Sequence, residues 1–249
     1  GYAMAIYKDE NTPELPVTMG NLENTRAFEF PEMVDLAREL MGKVPLIVKH
    51  TGKAAGRFYG EKGNPRIKLI TELFNGKNPR QLAVVLAHEI GHLIDWLPDF
   101  TLKRGNLLGR LQTLSSFMKW TFESENGVVK NAEVRKELLE VTQQLHPYDP
   151  NKITTSYKRY RESAKELYAE ALSMLLTNPG QLEKTAPVFY RTFFEHLDNK
   201  PNVKEAYFDL QALISGERES IIKHRREGVQ EMFREGDMKS IDYQKRLQL

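Results

Sequence analysis

The residues with the clearest chemical capacity are His88, Glu89 and His92, in the string LAVVLAHEIGHLIDWLP from Leu82 to Pro98. The run is strongly helical in character, so two imidazoles four residues apart project from one face and can reach a single zinc ion. Glu89, next to the first of them, would point at a water on that ion and could deprotonate it. Leu82, Leu86, Ile90, Leu93 and Leu97 form one apolar stripe, while Val84, His88, His92 and Asp95 lie toward the other side. With both flanks so apolar the helix is expected to be mostly buried, and burying two imidazoles and a carboxylate is costly unless an ion or strong partners accept them. Gly91 costs roughly 1 kcal/mol of helix propensity relative to Ala, and close packing against a neighbour near the site would account for it.

A zinc hydrolase needs a third protein ligand and an open position for water. The continuation H-x-x-G-x-x-H is absent, because Asp95 and Pro98 stand where its Gly and last His would be. The best source is the segment Ser163 to Thr177, whose Ser163 and Glu166 form a capping box and whose Glu166, Ala169, Glu170 and Ser173 make one polar stripe among Leu, Ala and Met residues. Two carboxylates one turn apart in such a helix repel each other, and a metal site supplies a reason for both: Glu166 as ligand, and Glu170 as acceptor of the distal N–H of a ligand histidine. The bland alternative keeps Glu166 as a cap and Glu170 on a solvated stripe. His146, in QLHPYDP with Asp149 behind it, is a second candidate for third ligand, although its prolines suggest a turn. His50, His196 and His224 have no partner at ligand spacing.

The elements that must position these groups read as α+β with helix dominant. A helix is expected over 31–42, with a proline in its first turn and Gly42 where a C-cap would sit. Stretches 44–51, 55–59 and 66–74, rich in β-branched and aromatic residues and punctuated by Gly, Asn and Pro, suggest a small, mainly antiparallel sheet. Helices follow near 79–97, 102–122, 130–145, 163–177, 187–197, 201–215 and 217–235. The organisation expected is an irregular leader over 1–30, a catalytic domain over 31–215 with a helical insertion at about 98–156, and a solvated helical tail or connector over 216–249. The aromatic cluster Phe189, Tyr190, Phe193, Phe194, Tyr207 and Phe208 has helical spacing and reads as core.

Composition narrows the function classes. The chain has 249 residues, 36 basic and 34 acidic side chains and a formal net charge of +2, so a charge-driven nucleic-acid clamp is not indicated and no nucleic-acid partner is expected. With no cysteine, thiolate zinc fingers, iron–sulfur clusters and cysteine nucleophiles are excluded, and any metal must sit on His, Asp or Glu. No signal peptide or membrane-spanning run is read, so the expected location is the cytoplasm or, after delivery, a host cell, with further domains of a larger polyprotein as possible partners.

HEIGHLID from His88 to Asp95 and ELYAEA from Glu166 to Ala171 together resemble the zincin metallopeptidases with a glutamate third ligand, the gluzincins. Within them the chain is similar to anthrax lethal factor and the Pro-Pro endopeptidases, and to the peptidase-like domains of large polyvalent proteins of phages and mobile elements. The resemblance covers about half the chain, 44–97 and 157–177. It implies a zincin-like fold and one Zn2+ per chain held by His88, His92 and Glu166. It implies Glu89 as general base and acid, Glu170 and Asp95 supporting the ligands, and a tyrosine ahead of the glutamate helix at the oxyanion, Tyr160 in preference to Tyr157. It further implies an extended protein or peptide substrate pairing with an edge strand, placed at Arg66, Ile67, Lys68, Leu69 and Ile70. The activity expected is a zinc-dependent endopeptidase; the alternative is a non-catalytic interaction module that keeps the fold.

Overall fold

The computed structural model describes residues 25–97, 122–124, 127–129, 131–214 and 218–236. The leader up to residue 24, the tail after 236 and nearly all of the helix expected over 102–122 lie outside them.

Helix α1, Phe30–Met41, begins with Pro31 in its first turn and ends at Gly42, whose φ of 73° is the left-handed conformation that stops a helix. Met33, Val34, Leu36 and Ala37 on it are fully buried. The chain is already anchored before this helix, since Phe28 is buried and its N–H donates to the Leu176 carbonyl at 2.7 Å. The packed domain therefore starts earlier than residue 31.

Three short strands follow: β1, Leu46–Val48; β2, Gly56–Tyr59; and β3, Arg66–Ile70. Their order is β1-β3-β2, with β1 parallel and β2 antiparallel to β3. The sheet is thus mixed, where a mainly antiparallel one was expected. The order also corrects the substrate strand. Arg66, Ile67, Lys68, Leu69 and Ile70 form the central strand, with a partner on each side, so β3 offers no open edge to a peptide. The edge beside the histidine helix is β2. A separate antiparallel hairpin joins β4, Phe122–Ser124, to β5, Gly127–Val129.

After a 3₁₀ turn at Thr71–Phe74, helix α2 runs Pro79–Trp96, capped by the Asn78 side chain accepting from the Gln81 N–H at 3.0 Å. The remaining helices are α3, Asn131–Leu145; α4, Thr155–Arg161; α5, Ala164–Thr177; α6, Pro179–Thr185; α7, Pro187–His196; α8, Pro201–Ile214; and α9, Arg218–Glu235. Helices α4 and α6 are too short to leave a periodic signature and were not expected. The aromatic cluster on α7 and α8 is core, with Phe189, Tyr190, Phe193, Phe194 and Tyr207 all buried.

The site rests on α2 packed against α5. Gly91 is where they come closest: a Cβ there would sit 2.9 Å from both the Cα and the carbonyl oxygen of Ala169. Ser173 Oγ, further along α5, donates to the Val84 carbonyl at 3.2 Å. The polar stripe Glu166, Ala169, Glu170, Ser173 is therefore the surface that α5 turns toward α2.

Within the segment 216–249, read as a solvated helical tail or connector, the described part, 218–236, is helical and packed. Helix α9 packs on α1 and β1, burying Val229, Met232 and Phe233, with Phe233 edge-on to Phe74 at 5.7 Å. Arg38 of α1 pairs with Glu231 at 3.3 Å. Among the described residues no helix is long and apolar enough to cross a membrane.

Candidate metal centre

Helix α2 delivers His88 and His92 to one face, and α5 brings Glu166 against them. His88 Nε2 and His92 Nε2 lie 3.1 Å apart, and Glu166 reaches them through Oε2 at 3.2 Å and Oε1 at 3.1 Å respectively. Donors around a tetrahedral zinc at ~2.0–2.1 Å are about 3.3 Å from one another, and with one atom from each residue the three donors here lie within 4.8 Å of one another, close enough to share an ion. His92 and Glu166 are buried, and among the described residues His92 Nδ1 has no hydrogen-bond partner. Two ring nitrogens and a carboxylate that face one another in a buried space fit a divalent cation by their chemistry alone.

Glu170 stands one turn along α5. Its Oε1 meets His88 Nδ1 at 3.0 Å and fixes the ring so that Nε2 faces the triangle. Its other oxygen meets His146 Nδ1 at 2.9 Å. His146, a candidate third ligand by sequence, instead stands behind Glu170 and outside the donor triangle. It is held there by Arg161, which donates to the His146 carbonyl at 2.7 Å and to Thr142 Oγ1 at 3.0 Å, and whose guanidinium lies over the Tyr148 ring at 4.6 Å. Neither Arg161 nor the His146–Glu170 pairing was legible in sequence, because nothing in their spacing marks α3 and α4 as meeting behind α5.

The two tyrosines of α4 separate clearly. Tyr157 receives a hydrogen bond from Arg161 at 3.4 Å, whereas Tyr160 lies beside Glu166, and burial together with that carboxylate pushes the pKa of its hydroxyl up. Of the pair, Tyr160 is the one at the site, half exposed at its rim. The capping box is half formed: Ser163 Oγ accepts from the Glu166 N–H at 3.4 Å, while the Glu166 carboxylate goes to the histidines.

Glu89 is buried between α2 and β2, with the Phe58 backbone amide near enough to favour its ionised form. The strand approaches this closely because Gly56 has no side chain: a Cβ there would meet Val85 Cγ1 at 2.7 Å and Glu89 Cγ at 3.2 Å. Asp95 is buried near the end of α2, where its carbonyl accepts from the buried Lys200 Nζ at 3.1 Å. It does not serve His92 Nδ1.

Charge at the centre follows from these contacts. Burial opposes a proton on His88, but hydrogen bonds to Glu166 and Glu170 outweigh it and raise its pKa from 6.5 to about 10. Burial also works against ionised Glu166 and Glu170. Hydrogen bonds to the imidazoles prevail, holding Glu166 well below the ordinary carboxylate range and Glu170 at about 2. Burial pushes Glu89 up, with the two imidazoles pulling the other way. The cluster thus requires positive charge at its centre, which a proton or a metal ion can supply.

A family model described as Peptidase family M48 matches residues 45–186, from β1 through α6. The chain belongs to peptidase family M48. No curated protein and no solved structure matches it. Membership in M48 implies metal-dependent peptidase activity on a protein or peptide, and the matched span contains β2, both helices that carry the candidate ligands, and Tyr160. The match speaks for a gluzincin and carries nothing about the lethal-factor or phage groups.

Proposed function

We propose that this M48 chain is a zinc-dependent endopeptidase in which His88, His92 and Glu166 hold the ion. The observation that carries the reading is the donor triangle, in which all three ligand atoms lie within 4.8 Å of one another beside the buried Glu89. Zinc, when bound there, would polarise the scissile carbonyl and acidify the attacking water.

The chain's own residues account for the rest. Glu89 removes the water's proton and returns it to the amide nitrogen that leaves; burial raises its pKa, making the protonated form a ready donor in the second step. Tyr160, half exposed beside Glu166, donates its hydroxyl to the oxyanion. Glu170 and His146 orient His88 from behind. The substrate lies extended along β2. In the antiparallel ladder the Ile70 N–H donates to the Ala55 carbonyl at 3.0 Å, so the alternation of pairs turns the backbone groups of Gly56 and Phe58 to the outer edge, beside Glu89.

The test is metal content by mass spectrometry on the full chain, with cleavage of a peptide pool. The native chain should carry about one zinc and cleave. Glu89→Gln should keep the zinc and lose cleavage, while His92→Ala and Glu166→Ala should lose both with helical content intact by circular dichroism. Undiminished cleavage by Glu89→Gln would sink the mechanism. Zinc bound by a native chain that cleaves nothing would turn the reading to a metal-stabilised interaction module.

A further inference from the structure

The face of the sheet that turns away from α2 gathers cations round one aromatic ring. Side chains alternate along a strand, so Gly56 and Phe58 face α2 and Glu89 while Arg57 and Tyr59 point outward, together with Arg66 and Lys68 of the neighbouring β3. The three cations gather round one ring: Arg66, Lys68 and Arg57 lie 4.8, 5.1 and 6.0 Å from the centre of Tyr59. Arg66 has a carboxylate partner, Glu61 at 2.7 Å, but among the described residues none pairs with Arg57 or Lys68. The surrounding sequence is one-sided too. Between residues 43 and 70 stand seven Lys and Arg and one acidic residue, Glu61, in a chain whose net charge is only +2.

We infer that the peptide taken by this site carries acidic side chains, read by Arg57 and Lys68 with Arg66 beside them. This rests on the peptidase reading above. A peptide added to the edge of β2, which no strand among the described residues occupies, lies ~4.8 Å from it, and every second side chain points to the outer face, alongside Arg57 and Tyr59. Long cationic side chains reach across that spacing, and an Asp or Glu there supplies the missing counter-charge. A protein substrate is favoured over another polyanion because Arg57 and Tyr59 belong to the strand whose inner side touches Glu89, so charge recognition and cleavage share one strand.

The experiment uses the zinc-loaded full chain and three pools of fluorogenic decapeptides, rich in Asp and Glu, in Asn and Gln, or in Lys and Arg. The acidic pool should be preferred about tenfold in kcat/KM, carried by KM, as two or three exposed ion pairs would give. Raising salt should shrink that preference. Arg57→Glu with Lys68→Glu should abolish the preference and favour the basic pool, and Arg57→Lys should retain it, with folding verified by circular dichroism. Equal rates on all pools, or a preference unaltered by the double substitution, would overturn the inference and leave the peptidase standing. If no pool is cleaved, fluorescence anisotropy of the labelled pools on Glu89→Gln decides separately: acidic peptides bound through Arg57 and Lys68 support the surface while the peptidase reading falls. Binding of duplex DNA or phosphatidylserine vesicles through these residues, with no discrimination among peptides, would overturn it.

Discussion

His88 shows how a motif legible in sequence acquires its consequences from neighbours that are not. H-E-x-x-H and the two glutamates of α5 were readable because imidazoles and carboxylates at one-turn spacing inside apolar helices demand an explanation. His146, in sequence only an alternative to Glu166 as third ligand, braces Glu170 from the opposite side, a role that spacing does not reveal because it does not say which residue stands behind which. The two carboxylates around His88 make the metal-free centre hold a proton. A group whose pKa is raised from 6.5 to about 10 contributes stability fully below 6.5 and loses it as pH rises through 10. Glu166 and Glu170, both lowered from 4.5, contribute above 4.5 and lose it as pH falls through their folded values. Metal-free protein should therefore melt highest between pH 4.5 and 6.5, and zinc binding at pH 7 should expel about one proton per site, because metal and proton compete for the same nitrogen. Calorimetric zinc titrations in buffers of different ionisation enthalpy measure the release directly; identical heats in all buffers would contradict a protonated His88.

Between elements, the deciding contact is Gly91 on Ala169. Propensity alone would favour alanine at position 91 by roughly 1 kcal/mol, but a Cβ 2.9 Å from backbone atoms of the facing helix cannot be relieved by rotating a side chain. Gly91→Ala should push α2 and α5 apart, costing about 1–3 kcal/mol in urea denaturation and weakening zinc, since His88 and His92 stand on one helix and Glu166 on the other. Gly180, in helix α6, offers the contrast: nothing lies within 4 Å of a Cβ there, and Gly180→Ala should be neutral or stabilise by about 0.4–1 kcal/mol. The sequence implies a close neighbour for Gly91 but not which one; Ala169, on the polar stripe of α5, fills that place. Strand order was not legible. Strands of three to five residues carry too little pattern to tell a parallel from an antiparallel partner, so β3 was taken for the edge when β2 holds that place.

At the scale of the whole molecule, α9 separates composition from packing. Its charged sequence suggested a solvated connector, yet Val229, Met232 and Phe233 fall at i, i+3 and i+4, enough to make one apolar face, and all three are buried against α1 and β1. A short stripe within a charged helix is easily outvoted in any average over the segment. The helix packs mainly on α1 and β1; α1 in turn packs on α2, so α9 supports the candidate site through the core. Phe233→Ala should cost about 3–5 kcal/mol, the usual penalty for removing a buried phenyl ring, here one packed on Phe74. Because Phe233 packs on Phe74 and its helix mainly on α1 and β1, that loss should add to the loss caused by metal removal instead of replacing it. Urea denaturation of the native and Phe233→Ala chains, each with and without zinc, measures both terms. A free-hanging α9 would leave the two chains equally stable, and a cost that vanished once zinc was bound would mean that α9 acts on the site directly.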